Sequence, residues 1–114
     1  MEEEKIKITR SSGNVFEDVG FPDAQEALAK SRLAIAIYLI IKARGLTQEA
    51  AAKIMETDQP HVSDIVRGKL SKFTIDRLFK FLLALGQDIE ITVKEHRNSK
   101  QPPRIHVMEG TAAV

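Results

Sequence analysis

The chain has 114 residues, 43% of them apolar, which suits one compact domain with tails and is too few for two independent cores. It contains no cysteine, excluding disulfides and thiolate metal sites, and its net charge of +1 hides an uneven distribution. Residues 1–29 carry seven acidic and three basic side chains, whereas residues 59–81 carry five basic and two acidic.

The acidic start, Met1-Glu-Glu-Glu-Lys, lacks the apolar core of an export signal. The longest apolar run, Leu33 to Ile41, falls far short of the roughly 20 residues a membrane-spanning helix needs. A cytoplasmic protein without a membrane partner is expected. Residues 1–22 read as a partly mobile arm, with Lys5-Ile6-Lys7-Ile8-Thr9 alternating as a short strand and Ser11-Ser12-Gly13-Asn14 as a loop. Asp23, with Glu26 three residues on, forms a capping-box pattern that predicts a helix start just after Pro22. That helix, single or divided near Ser31, runs to about Ala43, is closed by Gly45, and its Leu33–Ile41 run predicts burial on most faces.

Thr47 caps a second helix, in which Ala50-Ala51-Ala52 allows close helix approach, and Asp58 caps a third, with Pro60 in its first turn. Gly68 ends the third helix. Thr74 caps a fourth, where Ile75, Leu78, Leu82 and Leu85 recur at spacings of three and four before Gly86. The domain thus covers residues 23–87. The period then changes: Ile89, Ile91 and Val93 alternate with Glu90, Thr92 and Lys94, the pattern of a half-buried strand over residues 88–96. Such a strand needs a partner, from the N-terminal strand, a second subunit or another protein. Residues 97–114 read as a flexible tail.

Two short helices joined by a three-residue turn, the second followed by a basic loop, form the outline of a helix-turn-helix that places its second helix in the major groove of DNA. Gln59, Pro60, His61, Ser63 and Asp64 are the candidate base contacts: a glutamine amide suits adenine, a serine hydroxyl several bases, and a carboxylate the cytosine amino group. Gln48, Arg67, Lys69, Ser71 and Lys72 are the candidate phosphate contacts, setting register without reading sequence. Ile54, Met55, Val62 and Ile65 are expected to face the core.

Leu46-Thr47-Gln48-Glu49, Ala52, Val62-Ser63, Ile65, Arg67-Gly68-Lys69 and Leu85-Gly86 resemble the lambda/Cro-type (Xre) helix-turn-helix family over about half the chain. Gly13-Asn14-Val15-Phe16, Gln59 through Asp64, and Phe73-Thr74 through Leu85-Gly86 with the following strand are similar to small HigA-like antitoxins. The resemblance implies a mainly α, lambda-repressor-like bundle of four to five helices with a C-terminal β-strand. It also implies a homodimer that binds a palindromic double-stranded DNA operator, represses its own operon and neutralises a RelE/HigB-like ribonuclease toxin. Glu56 departs from the family's usual turn glycine, and a left-handed backbone there costs a non-glycine residue about 1 kcal/mol.

Other functions fit less well. His61, His96 and His106 are scattered without metal-ligand spacing, and neither a glycine-rich phosphate loop nor a nucleophile motif occurs, which argues against an enzyme, a metal site or a cofactor. Two alternatives remain: a stand-alone Xre-type repressor without a toxin, and a protein-interaction module using the same fold as scaffold with Ile89, Ile91 and Val93 on its contact strand.

Overall fold

In the computed structural model, which describes residues 15–97 and 100–109, the first element is one unbroken helix, α1 (Val15–Ala43). It begins upstream of the expected start at Asp23 and does not divide at Ser31. Glu26 does not act as a capping partner; its carboxylate pairs with Lys30 one turn on, at 3.7 Å. Pro22 therefore lies inside α1, where it offers no amide to the carbonyl four residues back. The alternating segment Lys5–Thr9 and the loop at residues 11–14 lie outside the described residues.

Three shorter helices follow: α2 (Gln48–Met55), α3 (Gln59–Val66) and α4 (Ile75–Ala84). Each starts at the expected cap. The Thr47 hydroxyl accepts from the Ala50 amide at 3.0 Å, Asp58 Oδ1 from the His61 amide at 2.9 Å, and the Thr74 hydroxyl from the Arg77 amide at 3.2 Å. Each cap satisfies an amide that the helix itself leaves unbonded and stabilises its helix by about 0.5–2 kcal/mol.

The core lies where α1 and α2 pack on α3 and α4. Ala29, Leu33, Ile37 and Ile41 form a stripe of four-residue spacing on α1, and Leu78, Phe81, Leu82 and Leu85 bury the apolar face of α4 and its end. Ala51 and Ala52 are buried on α2, where small side chains let the helices approach closely. Phe73, in the loop before α4, is fully buried among them.

Two burial expectations are corrected. The Leu33–Ile41 run is buried along one stripe only; Ile35, Tyr38 and Leu39 are exposed, because α3 and α4 cover a single side of α1. Ile54, expected in the core, is also exposed. Leu28, Ile35 and Leu39 fall within about 40° of one another at the helical step of 100° per residue, so α1 carries a second, uncovered apolar face.

The C-terminal β-strand is not formed, and no strand occurs among the described residues. A ladder needs a neighbouring backbone about 4.8 Å away, and no described segment pairs with residues 88–97. Ile89 still packs against the core, whereas Ile91 and Val93 are 73% and 93% exposed. Residues 100–109 return past α1: the Ile105 amide donates to Gln25 Oε1 at 2.9 Å, and Val107 packs on the core. No helix among the described residues is long and apolar enough to cross a membrane.

Candidate nucleic-acid interface

The connection between α2 and α3 sets the position of every candidate contact. Glu56 adopts the left-handed conformation expected of the turn, at φ 60° and ψ 46°. Its amide donates to the Lys53 carbonyl at 3.3 Å, and the Thr57 amide donates to the Ala52 carbonyl at 2.9 Å. These two bonds close the end of α2 and redirect the chain into Asp58, from which α3 starts. Val62 and Ile65, both fully buried, hold α3 against the core. Gln59 and Pro60 are thereby left exposed, with His61, Ser63 and Asp64 partly buried.

Gln59 does not stand alone. Its Nε2 donates a short hydrogen bond to Gln48 Oε1, joining the N-terminal ends of α3 and α2. An amide carries two donors and one acceptor oxygen, so the bond leaves Gln59 with its carbonyl oxygen and one N–H, the pair an adenine edge requires. Gln48 meanwhile keeps its own amide protons for a phosphate oxygen.

His61 is drawn inward. Thr57 Oγ1 lies 2.8 Å from its Nδ1, Asp58 Oδ1 3.2 Å and Arg77 Nη2 3.5 Å, while the ring meets Phe73 edge to face at 5.5 Å between centroids. Arg77 lies over Phe73 and Phe81, with its guanidinium carbon 5.1 and 5.5 Å from the two ring centroids. The imidazole thus links the turn, α3 and the start of α4.

Asp64 is likewise engaged within the protein. Its side chain is only 15% exposed, Oδ2 lies 2.8 Å from Lys72 Nζ, and Oδ1 lies 3.7 Å from Arg67 Nη2. The hydrogen bond from Lys72, aided by the charges of Lys72, Arg67 and Lys69, holds its carboxyl below the usual carboxylate range against the opposing effect of burial. Gly68, at φ 77°, turns the chain out of α3, and the Lys69 amide donates to the Asp64 carbonyl at 2.8 Å. Arg67, Lys69, Ser71 and Lys72 are all exposed along the loop that follows.

The structure therefore brings the ten candidate DNA contacts to the start of α2, the length of α3 and the loop after it. Thr57, Phe73 and Arg77 are the positions that sequence reasoning missed. Arg77 had counted only as one more positive charge, since nothing in local spacing signals its place over two rings and beside His61. Among the described residues no group of three or more His, Asp or Glu side chains is arranged to hold a metal ion.

Comparison with known proteins agrees with this layout. A family model described as a helix-turn-helix domain matches residues 15–94. A solved structure named "Putative XRE Family Transcriptional Regulator" is 39% identical to the chain, covers 78% of it and all of its own length, and superposes with a TM-score of 0.73. Among curated proteins, no match is found.

Proposed function

The chain belongs to the Xre-type helix-turn-helix family, and from that premise we propose that it is a sequence-specific, DNA-binding transcriptional regulator that reads a double-stranded operator with α3. The observation that carries this reading is the Gln48–Gln59 pair: two amides locked together at the ends of two helices, with the outer one exposed and its base-reading atoms free. Gln59, Pro60 and Ser63 meet base edges. Gln48, Arg67, Lys69, Ser71 and Lys72 grip phosphates on either side.

The regulator acts as a homodimer. A two-fold axis would set two copies of α3 about 34 Å apart, one turn of DNA, so that each reads half of an inverted repeat. Two features support an association surface. Ile91 and Val93 stand exposed on a segment that forms no strand among the described residues, and Leu39 and Ile40 with Phe79 line an apolar groove beside it. Exposed apolar surface of this kind marks interaction sites. The likeness to small HigA-like antitoxins extends the reading to an autorepressor that neutralises a RelE/HigB-like ribonuclease encoded beside it, with the same segment serving as dimer or toxin contact.

Fluorescence anisotropy of the full chain, with the duplex directly upstream of its own gene and a scrambled duplex across a salt series, tests the regulator reading. A preference of about 10³-fold or more is expected of a specific binder. Equal, weak binding to both duplexes would leave the fold as a scaffold for protein contacts. A toxin gene next to this one, and a complex between the two products, would establish the antitoxin role.

A further inference from the structure

Asp64 sits among the residues assigned to DNA, yet its charge is wrong for a phosphate and its side chain is only 15% exposed. Lys72 lies against Oδ2 at 2.8 Å and Arg67 near Oδ1 at 3.7 Å. The carboxylate keeps lone pairs beyond these contacts, but little of it is exposed for a cytosine amino group to approach. The position is unfavourable in a second way. Asp64 lies in the last turn of α3, where the helix dipole presents its negative end. A carboxylate there is stabilised by nearby cations, and Arg67, Lys69 and Lys72 provide them.

The same residue also fixes the loop. Its backbone carbonyl accepts the Lys69 amide at 2.8 Å, its side chain binds Lys72, and Phe73 next to Lys72 is buried in the core. Lys72 is therefore held between two anchors instead of sweeping through solvent on a free four-carbon stem. Holding a cation in this way has opposite effects on two kinds of DNA. On random duplex, affinity follows the number of phosphates neutralised, and a cation already paired with a carboxylate contributes less. On the operator, where base contacts fix the register, a cation held in place meets its phosphate without first being ordered.

We propose that Asp64 is a specificity-setting positioning residue: by holding Lys72 and Arg67 it suppresses binding to random DNA and presents both cations in the register that the operator requires. The inference rests on the regulator reading above. It places Asp64 behind the DNA contacts rather than among them.

The test compares the full chain with Asp64→Asn, Lys72→Gln and the double variant, using the upstream and scrambled duplexes across a salt series, with melting curves for each protein. Asp64→Asn keeps the volume and removes the charge. It is expected to raise affinity for the scrambled duplex about two- to fivefold, the range an exposed ion pair spans. The salt dependence on that duplex should steepen by up to about one unit. Affinity for the upstream duplex should stay level or fall, so the preference narrows. In the Lys72→Gln background the gain on scrambled DNA should largely vanish. Lys72→Gln alone should weaken the upstream duplex more than the scrambled one.

A loss confined to the upstream duplex in Asp64→Asn, with scrambled affinity and salt slope unchanged, would make Asp64 a base reader and overturn the proposal. An equal gain with and without Lys72 would reduce its role to long-range charge and overturn it as well. Should Asp64→Asn fail to fold, equal losses on both duplexes in Lys72→Gln would decide against it. If the unsubstituted protein shows no preference for the upstream duplex, the regulator reading falls and this inference with it. A kept preference without the Asp64 effects removes this inference alone.

Discussion

At the scale of single residues, side chains of the same polarity on one short helix divide into those turned to solvent and those held by the protein. Gln59 is exposed and bonds the half-buried amide of Gln48, which leaves it one donor and its carbonyl oxygen for a base. His61 and Asp64 have partners in the turn, in α4 and in the loop after α3. Gln59→Ala is therefore expected to cost about 1–3 kcal/mol on the operator and to relax selection at one base pair, leaving random DNA unaffected. Anisotropy with a set of singly substituted operators checks this. Equal losses on operator and random duplex would remove Gln59 from base reading. The residue types and the outward positions of Gln59 and Pro60 were legible from the chain; the inward turn of His61 and Asp64 and the internal partners were not, since Gln48 and Gln59 are 11 residues apart and His61 and Arg77 are 16 apart.

Among the elements, the helix starts follow from contacts three residues long, and for that reason Thr47, Asp58 and Thr74 cap where the sequence places them. The turn before α3 departs from what is cheapest for the backbone. Glu56 occupies a left-handed conformation that its Cβ disfavours, and it does so because the closing bonds from its own amide and that of Thr57 require it. Glu56→Gly is expected to raise stability by up to about 1 kcal/mol, reduced by glycine's greater freedom in the unfolded chain. Urea denaturation measures the change. A loss of stability would show that the Glu56 side chain contributes more than its backbone costs. The start of α1 followed a different rule: the Asp23–Glu26 pattern matches a cap locally, but Glu26 reaches forward to Lys30 within a helix already under way.

At the level of the whole molecule, the single chain leaves apolar surface uncovered on α1 and on the segment after α4. Ile91 and Val93, at 73% and 93% exposure, contribute little to the fold of one chain. Ile91→Pro removes a backbone donor from that segment and should leave the melting temperature of the helical domain nearly unchanged. If this segment pairs between subunits, the variant should sediment as a smaller species and bind an inverted-repeat operator with the affinity of a single half-site. An unchanged oligomer that still binds the full operator would move the dimer contact elsewhere, with the uncovered face of α1 as the next surface to test.

By itself the sequence determined the number, order and capping of the three short helices. All of these depend on interactions within one helical turn, where spacing and residue type suffice. Only the tertiary structure decided which stripe of α1 is buried, that Ile54 faces solvent, and that Phe73 and Arg77 gather around His61. It also decided that Asp64 is engaged by Lys72 and Arg67, and that residues 89–94 form no strand. Each of these depends on which surfaces the packed helices bring together. A long polar side chain has several partners within reach of its local sequence, and the packing selects among them; a strand has none until another backbone lies beside it.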